Sequence, residues 1–196
     1  MRRQLMTGLL VTIVLTVLLG IVYPLVITGI SQVAFSHRAN GSLVTVGGKV
    51  VGSALIGQNF TDAKGNPLPQ YFQPRPSAAG NGYDAMSSGA SNLGPSNETL
   101  VTSVAARVVT YRRFNGLGPR DEVPIDAVTS SGSGLDPDIS EANALDQATR
   151  VARARRIPLP TVLSLVHAHT DSRPWGVLGE QTVNVLDLNI SLDRIR

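Results

Sequence analysis

The sequence predicts one N-terminal transmembrane helix followed by a mixed α/β domain outside the cytoplasm. No charged residue lies between Arg3 and Arg38, and helix and strand patterns alternate in the part of the chain that follows. We therefore divide the 196 residues into a cytoplasmic N-terminus (1–7), a transmembrane helix (8–34) and an extracytoplasmic α/β domain (35–196).

The apolar segment is long enough to cross a bilayer. Residues 8–30 read GLLVTIVLTVLLGIVYPLVITGI, and a helix of that length spans about 35 Å against about 30 Å of hydrocarbon. The alternative is a cleaved secretory leader, whose apolar core has about 7–15 residues and a small-x-small cleavage site. A cut after Ala34 would place Gln32 at the third position back, which favours an uncleaved anchor. Pro24 should kink the helix.

The charges that flank the helix set its predicted orientation. Arg2, Arg3 and the α-amino group precede it, whereas Arg38 and Lys49 follow it. The larger positive charge on the N-terminal side favours an N-terminus in the cytoplasm. The large domain then lies on the outer side of the membrane.

Small side chains recur along the transmembrane helix at every fourth residue. They are Gly8, Thr12, Thr16, Gly20 and Pro24. Small residues at this spacing allow a second helix to approach closely, so we predict a helix partner as well as lipid. The alternative is that Gly and Thr are simply common in membrane helices.

Local signals predict the elements of the outer domain. A β-hairpin turns at Gly47-Gly48, and a long Pro- and Gly-rich stretch covers residues 66–95. A helix begins after Ser96 or Asn97 and ends at Asn115-Gly116.

The second half of the domain should hold two strands and two helices. We predict a short strand over 123–128 and a helix from its cap Ser140 to about Arg156. A further helix follows Pro158, and the alternating apolar residues of 182–192 indicate a half-buried strand.

The composition excludes several classes of function. With 17 basic and 14 acidic residues, 5% aromatics and no basic block, the chain does not have the profile of a nucleic-acid-binding protein. The absence of cysteine excludes disulfides and thiolate sites. His167 and His169 diverge on a helix, so we predict no metal site. The cluster formed by Arg150, Arg153, Arg155 and Arg156 is most simply a solvated helix face, or else a docking face.

No catalytic constellation is visible, and we predict no bound cofactor. Candidates for a nucleotide loop are Ser88, Gly89, Ser91 and Asn92, since glycine-rich loops before helices offer N–H groups to phosphate. The phosphate-loop lysine is absent, so plain turns are the alternative. The spacing around Ser133 is not that of a nucleophile elbow.

Several ordered sequence pieces together resemble the C subunit family of the bacterial Kdp potassium-transporting ATPase. The pieces are GSALIGQNF (52–60), YFQPRPSA (71–78), SNLGPSN (91–97), GSGLDP (132–137) and VNVL (183–186). The signature residues that we predict to form interfaces are Gln58, Phe60, Phe72, Arg75, Pro76, Ser77, Asn92, Gly94, Ser96, Asn97, Ser133, Gly134, Asp136 and Pro137.

The resemblance implies a non-catalytic subunit of an ATP-driven, high-affinity potassium uptake pump in the bacterial inner membrane. Its implied partners are a channel-like potassium-binding subunit and a P-type ATP-hydrolysing subunit, so that the complex handles ATP and potassium. The family is viewed either as a catalytic chaperone that raises ATP affinity or as an outer clamp. This chain has no phosphorylation motif, and an outer domain lies away from cytoplasmic ATP, which favours the clamp.

An enzymatic function is the alternative. A membrane-anchored extracytoplasmic enzyme or binding module could use the loop from Gly132 to Asp136. Replacing Ser133 and Asp136 would distinguish the two functions.

Overall fold

A computed structural model describes residues 1–195, so Arg196, the last residue of the predicted outer domain, lies outside the described part. The chain forms two compact units that divide after Val50. We describe each unit by itself.

The first unit begins with one long helical segment, Arg2–Ala34. By length and composition the segment could cross a membrane, and its most apolar 18-residue window is 0% buried. It consists of α1 (Arg2–Val17), a π-helical turn (Leu18–Val22) and α2 (Tyr23–Ala34). The π turn ends two residues before Pro24, and its last hydrogen bond runs from Tyr23 N–H to the Leu18 carbonyl. A π turn accommodates a proline that cannot donate to the preceding turn.

A short helix and a hairpin follow the long helix. The helix is α3 (Ser36–Ala39), and the hairpin pairs β1 (Leu43–Val46) with β2 (Lys49–Ser53). Gly47 and Gly48 have φ of +57° and +79°, which is the positive-φ geometry of a tight two-residue hairpin turn. The predicted hairpin is therefore confirmed.

The second unit packs helices on a small antiparallel sheet, which confirms a mixed α/β domain. Strand β5 is central and pairs with β3 and β4, with Ile139 and Thr170 both opposite Val183. The elements are α4 (Glu98–Asn115), β3 (Asp138–Ser140), α5 (Glu141–Arg155), α6 (Leu159–Ala168), β4 (Thr170–Asp171), β5 (Thr182–Asn184) and α7 (Val185–Asp193). The buried core includes Phe72, Ile139, Val151, Val162, Val166, Val183, Leu188 and Leu192.

Three helices begin and end where their local signals predict. The Asn97 side chain accepts from Thr99 N–H at the start of α4, and Gly116 ends that helix at φ +72°. Ser140 caps α5 by accepting from Asn143 N–H at 3.1 Å. Helix α6 follows Pro158, which is its N-cap.

One predicted strand is wrong, and a second is confirmed only over its first three residues. Within residues 123–128 the chain forms a 3₁₀ turn, Ile125–Ala127, in which Val128 N–H donates back to the Ile125 carbonyl. Within 182–192 only Thr182–Asn184 is a strand, because the Asn184 side chain accepts from Asp187 N–H and starts α7. The buried residues of α7 follow helical spacing as well as alternation, so the pattern was ambiguous.

Candidate functional site

Side-chain amides hold an extended part of the Pro-rich stretch in place of a neighbouring strand. The Asn189 amide accepts from Phe72 N–H at 2.9 Å and donates to the Phe72 carbonyl at 2.9 Å. Gln147 does the same for the next residue, with 2.7 Å to Gln73 N and 3.0 Å to Gln73 O. These two pairs, which we call the amide clamps, satisfy backbone groups that would otherwise be buried without partners.

Arg150 supports the same segment from within the protein. It is only 6% exposed, so the prediction of a solvated position was wrong for this residue. Its guanidinium donates to the Pro69 and Tyr71 carbonyls, to Asn115 and to Gln147. Burial lowers the pKa of Arg150 to about 10.

A buried polar cluster continues from the amide clamps. Asn143 donates to Asp126 and accepts from Gln147 and from the Tyr111 hydroxyl, and Ser140 also donates to Asp126. Burial, with nearby Asp146, raises the pKa of Tyr111, so its hydroxyl remains a donor. Among the described residues, no buried side-chain polar atom lacks a hydrogen-bond partner.

The Ser133-Gly134 turn is tied to the preceding loops. Ser77 Oγ donates to the Gly134 carbonyl at 2.6 Å, and Gly89 N–H donates to the Ser133 carbonyl at 2.8 Å. Gly134 has φ +67°, and an added Cβ would lie 2.6 Å from the Gly89 carbonyl oxygen. Only glycine fits this close approach of two backbones.

An ion pair anchors the other end of the turn. Arg75 Nη1 lies 2.8 Å from Asp136 Oδ2, and its Nε donates to the Thr129 carbonyl. The Tyr83 hydroxyl donates to the Arg75 carbonyl at 2.9 Å, and burial raises the pKa of Tyr83. An added Cβ on Gly57 would lie 2.5 Å from the Asp136 carbonyl oxygen, so the 52–58 segment packs directly on the turn.

An open groove of about 980 Å³ runs beside these contacts. One part of its lining comes from α4 and the other from the clamped Pro-rich segment. Four arginines line the groove, namely Arg75, Arg107, Arg113 and Arg150.

Comparison with known proteins identifies the family. The family model described as "K+-transporting ATPase, c chain" matches residues 5–194. The chain therefore belongs to the KdpC family. A Mycobacterium tuberculosis relative is 55% identical over 195 residues and matched over 100% of both chains. Relatives from Rhodospirillum rubrum (51% identical, covering 98% of this chain and 96% of theirs) and Gemmatimonas aurantiaca (52% identical, covering 100% and 94%) have the same name, "Potassium-transporting ATPase KdpC subunit".

Much of the predicted KdpC signature converges in the second unit. Phe72, Arg75, Ser77, Gly134 and Asp136 all take part in the clamps and turn contacts described above. The ring of Phe60 lies 5.4 Å from that of Tyr71, and the Pro137 carbonyl accepts from Val185 N–H at 3.1 Å. Gln58 lies beside Gly52, and Pro76 lines the groove. Ser133 Oγ accepts from Leu135 N–H.

The remaining signature residues lead into α4 at the surface. Asn92, Gly94, Ser96 and Asn97 are exposed, as is the nucleotide-loop candidate Ser91, and Asn97 caps the helix. Their role as an interface stays a prediction. The nucleotide-loop candidates Ser88 and Gly89 both donate to the Ser133 carbonyl, so these donors are engaged within the protein.

The small residues predicted to pack against another helix are exposed on the long helix. A Cβ added at Gly8 or Gly20 would meet nothing within 4 Å, and the Thr12 hydroxyl donates to the Gly8 carbonyl. Contact of Gly8, Thr12, Thr16, Gly20 and Pro24 with another helix stays a prediction.

Three contributors to the site were missed from the sequence. Tyr83, Asp126 and Asn143 are polar residues whose partners are 8, 14 and 32 positions away in the chain. The only available signal for Asn143 was its spacing of four residues from Gln147, which places both side chains on the same face of α5.

Proposed function

We propose that this chain is a non-catalytic subunit of an ATP-driven potassium uptake pump. It would be anchored in the bacterial inner membrane by the helix Arg2–Ala34 and would bind the channel-like and ATP-hydrolysing subunits. The observation that carries the proposal is the family match over residues 5–194, which includes the anchor as well as the domain.

The geometry of the signature residues supports a binding role rather than catalysis. Ser133 Oγ caps its own turn, and the Asp136 carboxylate is paired with Arg75. No group of three or more His, Cys, Asp or Glu residues that could hold a metal ion occurs within residues 1–195. These contacts fix the shape of a surface, which is what an assembly clamp requires.

Any effect on ATP affinity would then act through assembly. We place the N-terminus in the cytoplasm and the domain outside, because Arg2 and Arg3 precede the anchor. A domain outside the cytoplasm cannot touch ATP held on the other face. The chain would raise the ATP affinity of the hydrolytic subunit by stabilising the assembled pump.

Copurification tests the subunit role. Tagged full-length chain, coexpressed with the two other subunits, should retain both of them in mild detergent. The same chain without residues 1–34 separates assembly through the anchor from assembly through the domain. A full-length chain that retains neither subunit would contradict the proposal.

Single cysteines test the orientation, since the chain has none of its own. A cysteine at exposed Ser172 should react with a membrane-impermeant thiol reagent in intact cells. A cysteine at Thr7, in the predicted cytoplasmic segment, should react only after lysis. The reverse pattern would place the domain inside and reopen direct contact with ATP.

The enzymatic alternative predicts a different result for the Gly132–Asp136 loop. The double substitution Ser133→Ala and Asp136→Ala should impair assembly if the loop is structural. If the same variant loses an enzymatic activity towards a soluble substrate while assembly stays intact, the result would favour an enzyme.

A further inference from the structure

The groove between α4 and the clamped segment carries positive charge without matching negative charge. None of its lining residues is Asp or Glu, whereas four are arginines. Arg75 is paired with Asp136, but no carboxylate lies within salt-bridge distance of Arg107, Arg113 or Arg150 in the described chain. Asp126 and Asp146, which interact with Tyr111, are not among the lining residues.

The buried guanidinium of Arg150 gives the groove a strong positive electrostatic potential. Arg150 is 6% exposed, and its partners are carbonyls, amides and the face of Phe114, whose centroid lies 4.4 Å from the guanidinium carbon. These groups solvate the cation but do not cancel its charge. A cation set in low-dielectric surroundings attracts an anion more strongly than the same cation in water.

The α4 side of the groove supplies free donors. Arg107 uses Nη1 for the Val128 carbonyl, which leaves its other guanidinium nitrogens without a protein partner among residues 1–195. Arg113 is exposed, and its side chain has no hydrogen bond or ion pair within the same residues. Its guanidinium is therefore available for bidentate contact with a carboxylate.

The spacing of these arginines favours a chain-like ligand over a single anion. Arg113 lies six positions after Arg107, which is about 9 Å along the helix axis. A polyproline-type peptide has three residues per turn, so side chains three residues apart lie on the same side and are separated by about 9 Å. One phosphate cannot span this distance, whereas two carboxylates of one peptide can.

The opposite side of the groove is already ordered for binding. Pro67, Pro69, Pro74 and Pro76 line it, and the amide clamps hold the backbone between them. Proline and buried hydrogen bonds remove most of the freedom that binding would otherwise have to restrict. The groove volume is near the upper end of the about 300–1,000 Å³ range of ligand sites, which is too large for a lone carboxylate.

We propose that this arginine-lined groove is the docking site for an extended acidic segment of a partner subunit. The inference rests on the proposed function, since it takes the partner from the pump. Acidic side chains of the segment would pair with Arg107 and Arg113, while its backbone packs against the prolines and Phe114. The docked chain would supply the negative charge that the groove lacks.

Charge reversal provides the first test. Arg113→Glu in the full-length chain should reduce retention of the partner subunits by about three- to tenfold at physiological salt, because one attraction becomes a repulsion. Arg153→Glu, an exposed reversal on α5 outside the groove, is the matched control and should change retention little. Equal retention by wild type and Arg113→Glu would overturn the groove assignment.

Photocrosslinking identifies the occupant. p-Benzoylphenylalanine placed at Thr110, which lines the groove, should capture a partner peptide rich in Asp and Glu. The same group at Val109, which is 65% exposed on α4 but does not line the groove, should not capture that peptide. A lipid adduct at Thr110, a neutral or basic peptide, or the same product from both positions would overturn the proposal.

Failure of the docking assignment can be distinguished from failure of the proposed function. If the wild-type chain retains no pump subunit, the proposed function fails and the docking assignment fails with it. If the wild type retains both subunits while Arg113→Glu and the Thr110 crosslink give the contrary results, only the docking assignment fails.

Discussion

Removing the Asn189 amide should destabilise the domain more than any exposed substitution of the same type. Asn189 is 1% exposed, and its side chain satisfies both backbone groups of Phe72 at 2.9 Å. Asn189→Ala leaves a buried donor and a buried acceptor unpaired, at about 1–3 kcal/mol each, or about 2–6 kcal/mol in total. That is a large fraction of a typical stability of about 5–15 kcal/mol.

Urea unfolding in detergent, followed by circular dichroism, measures this loss. With a slope of about 2 kcal/mol per molar urea, a loss of about 4 kcal/mol lowers the midpoint by about 2 M. Asn81→Ala is the control, because Asn81 is exposed and its substitution should change stability by less than about 0.5 kcal/mol. Amide exchange at Phe72, measured by mass spectrometry, should rise in Asn189→Ala alone.

An isosteric variant separates the hydrogen bonds from the lost volume. Asn189→Asp keeps the shape but, when ionised, has no donor for the Phe72 carbonyl and buries a charge. Lowering the pH protonates the carboxyl and restores a donor, so part of the lost stability should return. A midpoint shift below about 0.5 M for Asn189→Ala, with an unchanged slope, would refute the clamp reasoning.

Three further predictions follow from other contacts. Gly134→Ala should reduce the free energy of unfolding by about 2–4 kcal/mol, because φ is +67° and the new Cβ would clash with the Gly89 carbonyl oxygen. A Cβ on Gly132 would meet nothing within 4 Å, so Gly132→Ala should be nearly neutral in the same urea titration. Arg150→Lys should lower the free energy of unfolding by about 2–4 kcal/mol, because a lysine ammonium cannot make all the hydrogen bonds of the guanidinium to Pro69, Tyr71, Asn115 and Gln147. The control Arg153→Lys, at an exposed position, should not change the thermal midpoint. Burial, with nearby Asp136, raises the pKa of Asp138 above its usual 3.8, so the ionised form destabilises the folded state above the raised pKa. Asp138→Asn should therefore raise the urea midpoint at neutral pH, and the gain should vanish as the pH falls towards 3.8; a gain that is equally large at all pH values would contradict this cause.

Elements with strong local signals could be predicted from the sequence. The Asn97 cap with Gly116, the Ser140 cap and Pro158 fix helix ends through contacts within a few residues. Gly47-Gly48 fixes the hairpin in the same way. Because these signals act locally, no knowledge of the tertiary structure was needed.

Elements decided by distant partners could not be predicted. Residues 182–192 alternate as a strand does, but the Asn184 side chain starts a helix there, and that helix carries Asn189 to Phe72. Arg150 stands in a basic run and looks solvated until the Pro69 and Tyr71 carbonyls are placed beside it. The signature residues were recognised as a set, but the sequence does not contain the distances that make Ser77 and Gly134 neighbours.

The contact between Asn189 and Phe72 also determines when the domain can fold during synthesis. Its two bonds to Phe72 join positions that are 117 residues apart, and the later one belongs to the last helix of the chain. The ribosome therefore completes the N-terminal helix while the remainder still lacks the residue that closes its core. If the domain is exported as proposed, it would cross the membrane unfolded and fold only after Asn189 has been delivered, and a chain that ends before Val185 should be degraded by cellular proteases.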